Sequence, residues 1–415
     1  MKRSLGGLRL LALVLGTAAA TMVACADSEP DTKGPAPADT GTTTLPPASS
    51  EAGADADTNA DASIEADAAP RVCSDHGFCH TVLPSDQTLE GVWGDGKGTV
   101  WAVSTEGNVL RWDGSAWHVH ASGLGPLHAI WGSAPTDFWI GGDEGLFHAG
   151  GATPSVVAFK PSGPTGRDRY RIHSIWGASG DDVWAVGARQ GAFGGPNGTV
   201  LHYTADADAG TGPTWVLDPA SSNGIAYSRV WGSPASGAWI AGRRPMMGLP
   251  FEEVAVLQRS PEASTFSEVP LPGDPGDSPD FGRMSMIHGA AATSDTTMLL
   301  LGRSVSTLPG TWHGASTDGG KTFTWTYARD GRIDDPAINA VFGTAPDDAW
   351  AVGNFGRVRH WDGTDWSPAA ITLTKLPVTA RFHSVWSGGP SDVWLVGQGM
   401  ALRYDPAMRK DGGTK

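Results

Sequence analysis

Residues 175–187 read IWGASGDDVWAVG, and residues 341–353 read VFGTAPDDAWAVG. In each stretch an aromatic residue precedes Gly, and a Trp follows that aromatic residue after eight positions. The Trp–Gly pair recurs at residues 93, 131, 176 and 231, while Trp386–Ser387, Phe342–Gly343 and His288–Gly289 are interpreted as degenerate copies. The copies are 38 to 57 residues apart. A period near 45 residues is typical of β-propeller blades.

Each copy divides into four short segments with strand character, separated by turn residues. In the sixth copy, alternation places Trp350 and Val352 on one face of the second strand and Ala351 on the other. Such a sheet has two apolar faces, which it buries between neighbouring blades. The sequence therefore predicts an all-β, seven-bladed propeller with four-stranded antiparallel blades over residues 73–408. Six blades is the alternative if the fifth copy is only an insertion.

The seventh copy has no fourth strand, because the chain ends in a polar tail at residues 409–415. The segment FCHTVLP, which precedes the first copy, is expected to supply that strand and to close the ring. Cys73 and Cys79 lie beside it, and their spacing predicts a disulfide in an oxidising compartment. A metal site formed with His76 and His80 is the alternative, but the second pair of ligands typical of zinc sites is missing.

The N-terminus has the features of an export signal. Lys2, Arg3 and Arg9 accompany an apolar run too short to span a bilayer, and small residues lead to Cys25. We interpret residues 1–24 as a lipoprotein signal peptide and Cys25 as the lipid acceptor, with an ordinary secretory signal as the alternative. Ala26 after the cysteine favours the outer membrane. Residues 25–72 contain no aromatic residue and are predicted to be a disordered tether.

Across residues 73–406 the chain resembles secreted bacterial seven-bladed propellers of the BNR, kelch and WD40-like superfamily. Residues 316–323, STDGGKTF, match the Asp-box of these proteins. The resemblance implies that the box is a structural hairpin and not a catalytic site. A sialidase would also need an arginine triad and an Arg-Ile-Pro signature, and YRIH at residues 170–173 has His173 in place of Pro. The matching residues are Ser316, Asp318, Gly320, Thr322 and Phe323.

The charge and the remaining motifs exclude several kinds of function. Without the three cations of the signal, 26 Lys and Arg stand against 44 Asp and Glu, so a nucleic-acid partner is not expected. His148, His202 and His360 share one strand position with Arg and Gln in other copies, which indicates a structural role. Asp182 and Asp348 are interpreted as turn residues. We expect no metal site and no cofactor.

The connections between the second and third strands are long only in copies three to five. Function is often located in such loops, and arginine with aromatic residues is typical of recognition surfaces. We therefore predict a monomeric, lipid-anchored envelope protein without catalysis that binds a glycan or a protein through this face. The alternative is a glycoside hydrolase or lyase acting on a polysaccharide. The candidate binding residues are Arg189, Phe193, Arg243, Arg244, Met246, Phe251 and Arg303.

Overall fold

The computed structural model describes residues 72–164, 170–189, 198–205, 212–373 and 376–410. The predicted signal peptide, Cys25 and the tether up to residue 71 lie outside the described residues. Within them, 28 of 30 strands form seven four-stranded antiparallel sheets, so the predicted seven-bladed propeller is confirmed. We call the strands of each blade A to D in chain order. Blades one and two consist of β2 (Leu89–Gly94), β3 (Val100–Ser104), β4 (Val109–Trp112) and β5 (Trp117–Ala121), then β6 (Leu127–Ala134), β7 (Asp137–Gly142), β8 (Gly145–Gly150) and β9 (Ala158–Ser162).

Blades three to five include the fifth copy, which the sequence left open as either a blade or an insertion. The fifth copy is a full blade, and the six-bladed alternative is wrong. These blades consist of β10 (Tyr170–Ser179), β11 (Asp182–Arg189), β12 (Gly198–Thr204) and β13 (Thr214–Leu217); β14 (Ala226–Ser233), β15 (Gly237–Pro245), β16 (Glu252–Arg259) and β17 (Ser267–Glu268); and β18 (Met284–Ser294), β19 (Thr297–Ser304), β20 (Pro309–Ala315) and β21 (Thr324–Arg329).

Blade six is followed by a small hairpin and by the blade that closes the ring. Short 3-10 segments span Pro154–Val156, Pro219–Ser222, Asn354–Gly356 and Pro406–Met408. The remaining strands are β22 (Ile338–Ala345), β23 (Asp348–Gly353), β24 (Val358–Trp361) and β25 (Trp366–Pro368) in blade six, the hairpin β26 (Thr372–Leu373) and β27 (Leu376–Pro377), and β28 (Phe382–Gly389), β29 (Asp392–Gly397) and β30 (Met400–Tyr404) in blade seven, which β1 (Phe78–Thr81) completes.

The N-terminal strand closes the ring as predicted. β1 pairs antiparallel with β30, and Phe78 lies opposite Tyr404. Phe78 is fully buried, with its ring centroid 5.1 Å from that of Trp350 in blade six. Cys79 belongs to this strand and forms a disulfide with Cys73, which precedes it. The first and last parts of the propeller are therefore joined in one sheet, and neither leaves an unpaired edge at the junction.

Apolar packing lies between blades and not within one central core. The described residues form seven buried hydrophobic clusters, one for each pair of adjacent blades, including blades seven and one. Trp350 and Val352 belong to the cluster between blades six and seven, whereas Ala351 belongs to the one between blades five and six. This distribution confirms the alternation predicted for the second strand.

The Trp–Gly pair is explained by the contact between adjacent blades. A methyl group on Gly177 of blade three would lie 2.6 Å from the Trp131 ring of blade two. The glycine thus leaves the space that the indole of the preceding blade occupies. The same arrangement occurs where the ring closes. A methyl group on Gly94 of blade one would lie 2.7 Å from the Trp386 ring of blade seven.

The position of the fifth copy was predicted incorrectly. His288–Gly289 is not the counterpart of Trp–Gly, because Ala291 pairs with Leu299 where the other blades pair an aromatic residue with Trp. Ala291 and Leu299 are also eight residues apart. The blade keeps the register and replaces both aromatic residues with smaller apolar ones, so the aromatic pattern does not mark its position.

Candidate functional site

The long connection of blade four is a hairpin and not an irregular loop. β15 and β16 pair up to Pro245 and Glu252, and Met246 N–H donates to the Phe251 carbonyl across the turn, at 2.9 Å. Arg243 and Arg244 therefore lie in a strand, which corrects the expectation that they belong to a loop. Their position in the ladder brings them opposite the acidic residues of the next strand.

The arginines of this hairpin are engaged by carboxylates. Arg243 Nη1 lies 2.8 Å from Glu252, and both terminal nitrogens of Arg244 lie 2.7 Å from the two oxygens of Glu268. Those hydrogen bonds raise the pKa of Arg244. Because each guanidinium already has a carboxylate, this surface has little capacity to attract an acidic ligand.

A second cation joins the same network from the link between blades four and five. Arg283 donates to Glu253 at 2.7 Å, and Arg244 donates to the other oxygen of Glu253 at 3.0 Å. Burial alone would raise the pKa of Glu253, but the hydrogen bonds from Arg283 and Arg244 hold it below its ordinary value. The network ties the hairpin of blade four to the following link.

Arg303 is a further predicted binding residue, and it lies apart from this network. Arg303, at the end of β19, donates to the backbone carbonyls of Thr307, Ile333 and Asp335 at 2.7–3.0 Å, toward the link to blade six. Arg189 ends β11, but its side chain lies outside the described part of the chain, as does Phe193. The structure thus brings together only part of the predicted arginine patch.

The turn of the blade-four hairpin presents apolar side chains to solvent. Met247 is fully exposed, whereas its neighbour Met246 is buried. Phe251 and Phe281 are 36% and 42% exposed, and their rings meet edge to face with centroids 5.4 Å apart. We call Met247, Leu249, Phe251 and Phe281 the rim cluster.

The link that contributes Phe281 is held in place by hydrogen bonds. The carboxylate of Asp274 is buried and accepts from Arg329 at 2.8 Å and from the Tyr327 hydroxyl at 3.1 Å. Ser306 N–H donates to the Phe281 carbonyl at 3.2 Å. The rim cluster therefore lies on an ordered support formed by blades four and five.

A cavity of about 870 Å³, which we call the channel, lies where the A strands of all seven blades meet. In every blade the pairing of strands A and B skips one residue near the start of strand A, which is a β-bulge. The skipped residue is polar in all seven blades. These residues are Glu90, His128, His173, Ser228, His288, Asn339 and His383.

The sequence analysis did not identify this polar ring, although a signal was present. In six blades the bulged residue stands three positions before the aromatic residue of the repeat, within a strand that is otherwise largely apolar. His173 is one example, and it was considered only as a mismatch to a sialidase signature. The bulge explains why a polar residue is accepted there, because the extra residue leaves the ladder.

Two histidines at these bulges, His173 and His288, have a lowered pKa. Burial lowers the pKa of His173 to about 4, with further lowering by the nearby His128 and Arg171. Burial, followed by the charge of Arg229, lowers the pKa of His288 to about 4. The His383 Nδ1 lies 2.7 Å from Glu90 Oε1, which places these two residues side by side at the junction of blades seven and one.

Arg229 is the residue after the bulge of blade four. Its Nε and Nη2 donate to the His288 carbonyl at 3.2 and 2.8 Å, and its Nη1 donates to the Ser228 carbonyl at 3.0 Å. Among the described residues it forms no ion pair with a carboxylate. Burial lowers the pKa of Arg229, and the charge of Glu90 opposes this lowering. The channel therefore contains a cation whose hydrogen bonds go to backbone carbonyls.

The histidines with a predicted structural role lie outside the channel. His202 stacks on Trp184 with centroids 3.7 Å apart, and its Nε2 lies 2.7 Å from Asp182 Oδ1. His148 and His360 repeat this arrangement with Asp137 and Asp348. Asp182 and Asp348 were interpreted as turn residues, but they accept from a side chain of strand C, so their role extends beyond the turn.

The segment that matches the Asp-box forms the turn between β20 and β21. The Asp318 carboxylate accepts from the Thr322 hydroxyl and backbone N–H at 2.6 and 3.0 Å, and from the Ser316 hydroxyl at 2.7 Å; these contacts lower the pKa of Asp318. Gly320 has a φ of 91°, and Phe323 packs edge to face against Trp239 of blade four. Assignment to the Asp-box family stays a prediction.

Metal-binding clusters and membrane-spanning helices are both missing from the described residues. Across residues 72–164, 170–189, 198–205, 212–373 and 376–410, no three His, Cys, Asp or Glu side chains lie close enough to hold a metal ion. In the same ranges no helix is both long and apolar enough to cross a bilayer.

Known proteins resemble this chain only in structure. No family model and no curated protein matches the sequence. The structure of YCF48 bound to D1 peptide superposes on this chain with a TM-score of 0.53 and 14% sequence identity. The match covers 79% of this chain and 97% of that chain. At this level of identity the likeness shows the fold alone.

Two bacterial structures show the same likeness. Virginiamycin B lyase from Staphylococcus aureus has a TM-score of 0.56 at 11% identity, covering 78% of this chain and 96% of that chain. The extracellular domain of BT4673 from B. thetaiotaomicron has a TM-score of 0.54 at 13% identity, covering 79% of this chain and 39% of that chain. These neighbours include a lyase and an extracellular domain, so they do not select a function.

Proposed function

We propose that this chain is a non-catalytic, protein-binding propeller displayed outside the cell, with its partner contacting the rim cluster. The observation that supports this most is the group of exposed apolar side chains on an ordered hairpin and link of blades four and five. Exposed aromatic and Met side chains on a rigid support are typical of binding hot spots. The cost of ordering the surface is small, because its supporting network already exists.

A polypeptide fits this surface better than an acidic glycan. Binding of a carboxylated sugar would draw on unengaged arginines, but Arg243, Arg244 and Arg283 are paired with Glu252, Glu253 and Glu268. The rim cluster offers apolar surface, and the charged residues of the hairpin beside it are paired with one another. Such a surface suits the side chains of a protein partner. The structure of YCF48 with a D1 peptide supports the idea that a propeller of this fold can bind a polypeptide.

The sequence analysis left a polysaccharide hydrolase or lyase as the alternative. Glycoside hydrolysis generally uses two carboxylates about 5–9 Å apart across the sugar. Glu90 is the one carboxylate among the described residues that line the channel. This composition supports binding over hydrolysis.

We further propose that Cys25 carries the lipid anchor and that residues 26–72 act as the tether to the outer membrane. The cysteine pattern supports export, because the Cys73–Cys79 disulfide is favoured in an oxidising compartment. Replacement of Cys25 with Ser is expected to move the protein from the membrane fraction to the soluble envelope fraction. Retention of that variant in the membrane would contradict the anchor.

The binding proposal can be tested by crosslinking the full-length protein in intact cells. We expect Phe251→Asp and Phe281→Asp to remove a crosslinked protein partner, because a charge in the hot spot weakens binding by about 2 kcal/mol or more, or roughly thirtyfold. The control is Phe355→Asp in blade six, whose side chain is also exposed, at 74%. If rim and control variants retain the same partners, the rim cluster is not the binding surface.

A further inference from the structure

The geometry points to a second site, inside the channel: we propose that it binds an oxyanion, a carboxylate or phosphate group of a small molecule, with Arg229 as the cation. This proposal is independent of the rim cluster and of any protein partner. Its basis is a charged side chain that the fold holds in a cavity without a direct ion pair among the described residues, although the charge of Glu90 acts on it.

The channel has space at the level of Arg229. The position after the bulge holds a small residue in each of the other six blades, so only blade four places a long side chain there. A cavity of about 870 Å³ is within the range of small-molecule sites. The six small residues are Gly91, Ala129, Ser174, Gly289, Ala340 and Ser384.

The contacts of Arg229 orient its guanidinium without neutralising it. The carbonyls of Ser228 and His288, with a longer contact to the Asn339 carbonyl at 3.4 Å, fix the plane of the group across blades four to six. Carbonyl oxygens are dipoles and carry no net charge, so the positive charge persists. In a partly enclosed cavity the attraction of that charge for an anion is stronger than in bulk water.

His288 of the adjoining blade lines a smaller cavity, separate from the channel, and its Nε2 is buried without a hydrogen-bond partner. The charged groups that act on His288 are Arg229 and Arg303, and both are cations. An anion bound by Arg229 would offset this cationic surrounding.

The negative charge of the channel lies on the opposite side. Glu90 belongs to blade one and is adjacent to His383 of blade seven, at 2.7 Å. Arg229 belongs to blade four, which in a ring of seven is as far as any blade from blade one. Glu90 nevertheless acts on Arg229, because its charge raises the pKa of Arg229 against the lowering by burial. An anion is therefore expected on the side of Arg229 that faces away from Glu90.

Calorimetric titration of the full-length protein tests this site with two probes, inorganic phosphate and citrate, at constant ionic strength. We expect saturable binding of at least one probe, and the comparison between them tells whether the site prefers phosphate or carboxylate. Arg229→Met is expected to abolish the binding. Absence of heat for both probes with the wild-type protein would overturn the proposal.

A matched pair of variants keeps the test valid if loss of Arg229 prevents folding. Ser384 lines the channel from blade seven, at the position that corresponds to Arg229. Ser384→Asp adds a negative charge, and Ser384→Asn adds a neutral group of the same size. We expect the Asp variant to raise the dissociation constant roughly tenfold relative to the Asn variant, by like-charge repulsion. Equal affinities would overturn the proposal.

Discussion

At the scale of single residues, the repeated Trp–Gly pair is a contact between two blades and not a local turn signal. Each indole occupies the position where a side chain of the next blade would lie, so the two residues of the pair serve different interfaces. Trp131 contacts Gly177, and Trp176 of that same blade contacts Gly232 of the next one. The pair therefore repeats because each of blades one to four receives an indole from the preceding blade at its glycine.

This contact predicts a strong effect from one methyl group. In Gly177→Ala the new Cβ would lie 2.6 Å from the Trp131 ring and 2.9 Å from the Asp182 carbonyl, so the blades must separate. We expect a loss of about 1–3 kcal/mol in the free energy of unfolding, measured by urea denaturation. The control is Gly150→Ala, where no atom lies within 4 Å of the added methyl group. Equal stability of both variants would show that the contact is not restrictive.

At the scale of elements, much of the blade structure could be predicted from the sequence, because burial between blades imposes a period on every strand. Blade five was assigned to the wrong residues, since Ala291 and Leu299 pack in the aromatic positions without an aromatic side chain. The channel ring was missed for a different reason. A bulge inserts one residue into strand A, and simple two-residue alternation does not account for such an insertion.

The predicted arginine patch was also misinterpreted at the scale of elements. Its residues were considered as members of loops, although the hairpin register places Arg244 directly opposite Glu253. Cross-strand pairs of opposite charge stabilise a sheet, so acidic residues on the next strand are expected partners. Pairing the two strands before interpreting their side chains would have shown that the charge is neutralised, and that the apolar residues of the turn are the distinctive feature.

Ring closure by β1 gives a prediction at the scale of one strand. Removal of residues 72–81 would expose the edge of β30 and the cluster that buries Phe78 against Trp350. We expect loss of cooperative thermal unfolding and aggregation, observed by calorimetry and light scattering. Removal of residues 26–71 is the control, and it should leave the unfolding transition unchanged. A cooperative, monomeric protein without β1 would contradict the proposed role of this strand.

At the scale of the whole molecule, the channel gathers polar groups in an otherwise apolar architecture. Six of the seven bulged polar residues line the channel, while the seven hydrophobic clusters stabilise the interfaces around it. Burial of imidazoles near Arg229 has a cost that depends on pH. The fold keeps His173 and His288 neutral, whereas the unfolded chain allows them to take up protons at their ordinary pKa of 6.5.

The sign of the pH dependence follows from these pKa values. Between pH 6.5 and about 4 the unfolded chain protonates His288 and the folded protein does not, so stability falls as the pH falls through this window. His288→Asn removes the titrating group, and Asn339 shows that Asn is accepted at the equivalent bulge. We expect similar urea midpoints for both proteins at pH 7.5, and an advantage of about 1–3 kcal/mol for the variant near pH 4.5. Parallel pH profiles would show that His288 is not held neutral by the fold.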